Sequence, residues 1–397
     1  MKLSIETGRD FSNWQENDIK IMTPGPTQVA ENVRMARSLV TTNPDIDERF
    51  YDFYKETCEL IADELHTANS VYIMGGEGIL GLEAACASLT EKGDRVLVID
   101  NGIFGKGFAD FVKIYEGEPV LYTCDYHKPV DADKLKAYLD KDSDFKYATI
   151  VHSDTPSGVL NDVEIICPLL KSYGIMTVVD SVTGMFADEI DVDKAQIDIV
   201  CGGSQKALSA PPGLTIVAVS DDAMKAMENR KSPIRSFYAN ILVFKNYYKD
   251  KWFPYTMPIS DIYGLRAAVE NMIDDKTHLE RHKVIAKAVR EALVSGGLEL
   301  YLSDGYASSV TVFYVPDGMT DRQLLQTMRD EYKIMISGCF DILAGKVIRI
   351  GHMGNNANEE DILDTLEALQ KSLEKNGFEC KTDMRNIAEE SLRKLCS

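Results

Sequence analysis

The strongest constraint on this chain is an alternation that runs for about 150 residues. Short apolar, β-branched runs occur at Val71–Met74, Arg95–Ile99, Pro119–Thr123, Tyr147–Val151, Ile175–Val179, Ile197–Cys201 and Thr215–Val219. Stretches with apolar residues at helical spacing separate most of them, at 79–90, 104–116, 131–139 and 163–173. Runs that are apolar throughout, rather than on every second residue, belong to strands buried on both faces. Strands alternating with helices predict an α/β fold with a mostly parallel seven-stranded sheet. An amphipathic helix over 46–66 precedes it, through Phe50, Phe53, Tyr54, Ile61 and Leu65. After Pro258 the pattern changes. A long helical stretch runs from Ile262 towards Val294, then come a strand at Ser309–Val315, a helix near 320–331, a strand at Val347–Ile350, a helix over 359–375 and a charged tail. The expected organisation is an N-terminal arm (1–21), a large domain (22–275) and a smaller C-terminal α+β domain (276–397).

Composition narrows the partners. Over 397 residues the formal net charge is −20, which disfavours phosphate backbones and anionic membranes. A single pocket can still be locally positive, so anionic small molecules stay in play. No run of 18 apolar residues appears, and the acidic first twenty residues lack the apolar region of a secretion signal. The closing Lys-Leu-Cys-Ser is not a peroxisomal address. Eight cysteines at irregular spacing, with no CxxC pair, read as reduced thiols of a cytoplasmic protein. No metal site is arguable from the sequence.

In open α/β sheets ligands bind beyond the carboxyl ends of the strands, and three features sit there. Val178-Val179-Asp180-Ser181 ends a buried strand on a carboxylate, which alone could simply cap a helix. Gly202-Gly203-Ser204-Gln205-Lys206 carries a lysine on a small-residue loop, which alone reads as surface. Met74-Gly75-Gly76-Glu77-Gly78-Ile79 is a strand, a glycine turn and a helix start, an arrangement that aims free backbone N–H groups at an anion.

An aspartate and a lysine 26 residues apart on successive strand ends, below a glycine-rich helix start, resemble the fold-type I pyridoxal-phosphate enzymes. More closely, the chain resembles the class V aminotransferases of the alanine/serine–glyoxylate group. The matching stretches are Thr23-Pro24-Gly25-Pro26, Gly75–Ala85, Asn101-Gly102-Ile103-Phe104-Gly105, His152–Val159, Val179-Asp180-Ser181-Val182, Gly203–Gly213 and Gly345–Gly351. They span nearly the whole chain after residue 20.

The resemblance implies the cofactor pyridoxal 5′-phosphate, held as a Schiff base on Lys206. A freed lysine amine then moves a proton between the substrate Cα and the cofactor, and its pKa of about 10.4 must fall for that role. Asp180 would face the pyridine nitrogen and keep it protonated, and Phe104 would cover the ring. Glu77, Gly78 and Ile79 would meet the phosphate, with Gln205, Thr155 and Val182 as neighbours and Thr256 supplied by a partner subunit. A carboxylate beside a phosphate is repulsive, so Glu77 is expected to offer only its backbone N–H. Arg349, with Gly25 nearby, would grip the substrate carboxylate in a bidentate pair. His152 would support the cofactor-contacting loop.

The chain departs from the pattern at Phe253, where better-known members carry a tyrosine, and at Pro156, where a hydroxyl residue is usual. Tyr255 and Thr155 are the nearest replacements. The implied activity is transamination between a small amino acid and a 2-oxo acid such as glyoxylate or pyruvate, in a homodimer. Two alternatives share the fold: a lyase of the cysteine desulfurase kind using Cys339, and a 2-aminoethylphosphonate-type transaminase. Against the lyase, Gln205 and Phe104 stand where desulfurases carry histidines. A non-catalytic descendant would tend to have lost Lys206, Asp180 or Arg349, and all three are present.

Overall fold

The computed structural model describes residues 19–395, so most of the expected arm and the last two residues lie outside the described part. All seven predicted runs join one sheet. Across the sheet the strands are Ser70–Gly75, Leu214–Val219, Ile199–Gly203, Met176–Asp180, Tyr147–Val151, Arg95–Asp100 and Glu118–Thr123. Only Leu214–Val219 runs antiparallel to its neighbours. Two strands begin one or two residues later than the apolar runs and end on Asp180 and Gly203.

Register aligns the strand ends that matter. Val151 lies beside Asp180, and Asp180 beside Cys201. Because Leu214–Val219 returns antiparallel, Leu214 comes back opposite Gly75 and Thr215 opposite Gly203. The loop carrying Lys206 is thereby held over the same edge as the glycine turn. Helices Gly78–Leu89, Ile103–Ile114 and Val163–Ser172 and the amphipathic Glu48–Glu64 cover the sheet. Phe253 is a core residue: its ring stacks on Tyr51 at 4.7 Å and meets Tyr54 edge-on. A hydroxyl there would need a partner inside an aromatic cluster.

Two expectations for the C-terminal part are corrected. The stretch from Ile262 to Val294 is two helices, Ile259–Asp274 and His278–Ser295. Asp275 breaks it by accepting the Thr277 N–H at 3.1 Å and the Arg281 guanidinium at 2.6 Å, which offers the backbone an alternative to helix. The charged tail is in fact a helix, Met384–Leu395, burying Met384, Ala388, Ser391 and Leu392 at helical spacing. Its charges form the outer face, where Arg385 bridges Asp364 and Glu367.

A second apolar cluster, centred on Val284–Leu293, Ile348, Ile350 and Leu363–Leu373, stands apart from the cluster around the large sheet. Met22 belongs to this second cluster, because Lys20–Ile21 pairs in parallel with Ile334–Met335. Val310–Tyr314 and Val347–Gly351 form its antiparallel pair. Among the described residues no helix is long and apolar enough to cross a membrane, and no cluster of His, Cys, Asp and Glu could hold a metal ion.

Candidate active site

A cavity of about 140 Å³ opens at the aligned strand ends. Of the residues singled out in the sequence, Glu77, Ile79, Phe104, Thr155, Asp180, Val182, Gln205 and Lys206 line it. Gly78 lies against its wall, since a Cβ there would come within 2.7 Å of Val182.

Asp180 is buried at 5% exposure, and its Oδ1 accepts the Val182 N–H at 2.9 Å. Burial pushes its carboxyl up to about 7, since a low-dielectric site penalises the charged form. Lys206 moves the opposite way. Burial first, and the Arg349 guanidinium second, bring its amine down to about 8. Its Nζ donates to the Pro24 carbonyl at 2.7 Å. That contact requires glycine next door: Gly25 has φ +105°, and a Cβ there would fall 2.5 Å from Lys206 Cδ.

His152 sits behind the site, 2% exposed, with Nδ1 2.9 Å from Ser181 Oγ and its backbone N–H donated to the Asp180 carbonyl. Burial holds its imidazole down to about 4, so it braces the Asp180–Ser181 turn as a neutral ring. Phe104 meets Phe340 edge-on at 5.9 Å. Thr155 bonds to Thr183 through their hydroxyls.

Arg349 approaches from the second cluster. It is 9% exposed, donates Nε–H to the Gly338 carbonyl at 2.8 Å, and lies 5.7 Å from the Phe340 ring. Its Nη1 reaches 3.5 Å from the Thr155 carbonyl, at the cavity wall. Cys339 is half-buried beside it, and burial raises the thiol pKa, which works against a resting thiolate.

Two predicted residues behave differently. Thr256 is exposed and donates to Asp45 at 3.1 Å, so it does not join this chain's own cavity. Glu77 does not turn its side chain away. Its Oε1 accepts the Ile79 N–H at 3.0 Å and its Oε2 lies 3.3 Å from Gln205 Nε2, so the carboxylate caps its own helix. Tyr255 accepts the Gly75 N–H at 3.3 Å and stacks on Tyr238 at 4.5 Å.

Sequence reasoning missed Leu82, Ser153 and Thr183 on the wall, and Asp154 behind it. Strand alternation carries the signal for one of them: Ser153 and Thr155 share a side and leave Asp154 on the other. Asp154 is fully buried, bonded to Ser157 Oγ at 2.6 Å, and lifted by burial to about 6.

The class-V aminotransferase family model matches residues 27–364. An uncharacterised aminotransferase of Methanocaldococcus jannaschii is 34% identical, covering 94% of this chain and 97% of its own. The pyridoxamine–pyruvate transaminase of Mesorhizobium japonicum is 32% identical, covering 82% and 84%. The crystal structure of pyridoxamine–pyruvate aminotransferase from Mesorhizobium loti superposes with a TM-score of 0.90 at 28% identity, over 95% and 97% of the two chains. Relatives at 29% and 26% identity are aspartate–glyoxylate and serine–glyoxylate aminotransferases. Cysteine desulfurases share the fold at 14% identity. A lysine and an aspartate meeting at aligned strand ends, in a chain matched from residue 27 to residue 364, make this a member of the class-V aminotransferases.

Proposed function

We propose that the chain transfers an amino group from a small amino acid, of the alanine or serine type, to a 2-oxo acid such as glyoxylate or pyruvate. The observation that carries this reading is the pair in the cavity: a lysine amine brought down to about 8 and a buried aspartate lifted to about 7. Groups shifted towards neutrality in opposite directions are suited to moving protons at physiological pH.

The family's cofactor is pyridoxal 5′-phosphate, and the ring end of the cavity fits it. Asp180 has one carboxyl oxygen on Val182 and, among the described residues, no cationic hydrogen-bond donor, which a protonated ring nitrogen would provide. When bound, the cofactor supplies an aldehyde that links to amines and a ring that withdraws electrons from the substrate Cα.

This chain's residues would do the rest. Lys206 would anchor the aldehyde and, once released as the free amine, would take the Cα proton and return it two atoms away, to the carbon on the far side of the shared nitrogen. Asp180 would hold the ring nitrogen protonated, and Phe104 would cover one ring face. Val182 and Thr155 would border the ring, Gly25 lets the chain pass close to Lys206, and Gly78, Ile79 and Gln205 would lie at the phosphate end. Arg349, whose Nη1 lies 3.5 Å from the carbonyl of the wall residue Thr155, would take the substrate carboxylate. The raised thiol pKa at Cys339 favours transfer over a thiolate-dependent lyase.

In this reading the protein is a cytoplasmic homodimer whose units divide near residue 275, where the helix breaks. Met35, Leu39, Val40, Phe237 and Tyr238 are exposed apolar side chains that a second copy would cover, and Thr256 would serve the partner's phosphate end. Borohydride reduction with cofactor present should fix the adduct on Lys206, mapped by peptide mass. An adduct on another lysine, or none, would overturn the assignment. Half-reactions with candidate donors, followed by absorbance, would then identify the amino donor.

A further inference from the structure

The two ends of the cavity do not treat the cofactor alike. At the phosphate end, a dianion would need free N–H donors or a cation. Here the Ile79 N–H is already taken by Glu77 Oε1 at 3.0 Å, and Gln205 Nε2 points to Glu77 Oε2 at 3.3 Å. The Leu80 N–H is spent on the Glu77 carbonyl. Gln205 is 7% exposed, and the amide N–H it could offer a phosphate is spent on the Glu77 carboxylate. The lining residues include two acids, Glu77 and Asp180, and one base, Lys206.

We propose that the Glu77 carboxylate stands in for the phosphate at the helix start, so that the site discriminates against the 5′-phosphate and also takes unphosphorylated pyridoxal or pyridoxamine. This rests on the reading of Lys206 and Asp180 given above. Those residues address only the aldehyde or amine and the ring nitrogen, which both phosphorylated and unphosphorylated forms possess. A bare 5′-hydroxymethyl group is neutral, can donate to a carboxylate, and leaves the Glu77 cap intact. A phosphate must displace that carboxylate or sit against it, so pyridoxal phosphate binds as an exchangeable ligand. Glu77 is a specificity-determining residue here, with no part in proton transfer.

The test is direct binding to the apo-protein. Pyridoxal phosphate and pyridoxal are titrated separately into wild type and Glu77→Gln, following the absorbance of the lysine adduct. The amide oxygen of glutamine can still accept the Ile79 N–H, so the helix cap survives while the charge is lost. The expected result is that pyridoxal phosphate binds about tenfold tighter or better in Glu77→Gln, while pyridoxal changes less than about threefold. The ratio of the two dissociation constants removes effects on Lys206 and Asp180, which are common to both ligands.

A second measurement needs no variant. In wild type, raising ionic strength should tighten pyridoxal phosphate relative to pyridoxal, because it screens repulsion from the exposed Glu77. An unchanged ratio in both experiments would overturn the proposal, as would wild type retaining stoichiometric pyridoxal phosphate through exhaustive dialysis. If neither aldehyde is reduced onto Lys206, the functional reading fails instead.

Discussion

The Lys206–Asp180 end of the site and the Arg349–Cys339 end are built by different means. The first is written into one sheet. Asp180 ends a buried parallel strand in register with Cys201, and the loop after that strand brings Lys206 over it. The second depends on two apolar clusters meeting. Arg349 lies on Val347–Gly351, in the antiparallel pair with Val310–Tyr314, yet its guanidinium reaches the Thr155 carbonyl of the large sheet's loop. In the proposed function, chemistry therefore falls on the rigid element, and substrate recognition on the contact between elements. Covalent and proton-transfer steps need atoms held closely, whereas a carboxylate clamp works across a joint.

The largest effect should come from the sheet end. Lys206→Ala removes both the anchor and the proton carrier, and kcat/KM should fall on the order of 10⁴-fold. Comparable loss from Cys339→Ala would move the chemistry to the other end.

Arg349→Ala tests the joint. Losing a charge-assisted pair in a desolvated site costs about 2–5 kcal/mol, or roughly 30- to several-thousand-fold in kcat/KM. Steady-state kinetics with a monocarboxylate donor checks it. A loss below about tenfold would place the carboxylate elsewhere.

The same variant reads the coupling between the ends. Arg349 helps hold the Lys206 amine down to about 8. Only the free amine captures an aldehyde, so capture by the apo-protein should rise with pH through a midpoint near 8 in wild type. Removing the guanidinium removes a like charge, which raises the amine's pKa and moves that midpoint to higher pH. A fixed midpoint would mean the two ends are electrostatically independent.

Cys339→Ala should matter least, with kcat/KM for transamination within about threefold of wild type, because the thiol has no covalent task in amine transfer. Sulfide release from cysteine that disappears in this variant, in a protein that transaminates nothing, would favour the lyase.

The amino-acid sequence by itself determined the alternating sheet and placed Asp180 and the Lys206 loop just beyond two of its strands. Those depend on local periodicity and on the fixed geometry of parallel strands, where side chains just beyond the carboxyl ends converge. Two features near the C-terminus escaped that reading for a local reason. The break at Asp275 is made by side-chain bonds within the polar run Asp274–His278, which spacing alone does not tell from an exposed turn of one helix, and the tail's charges hide a buried stripe of Met384, Ala388 and Leu392. Only the tertiary structure decided where Glu77 points and that Arg349 meets Thr155. A carboxylate at a helix start can face solvent, a ligand or its own backbone. Here the free Ile79 N–H and the neighbouring Gln205 amide, brought in from a loop 128 residues away, select the last of these.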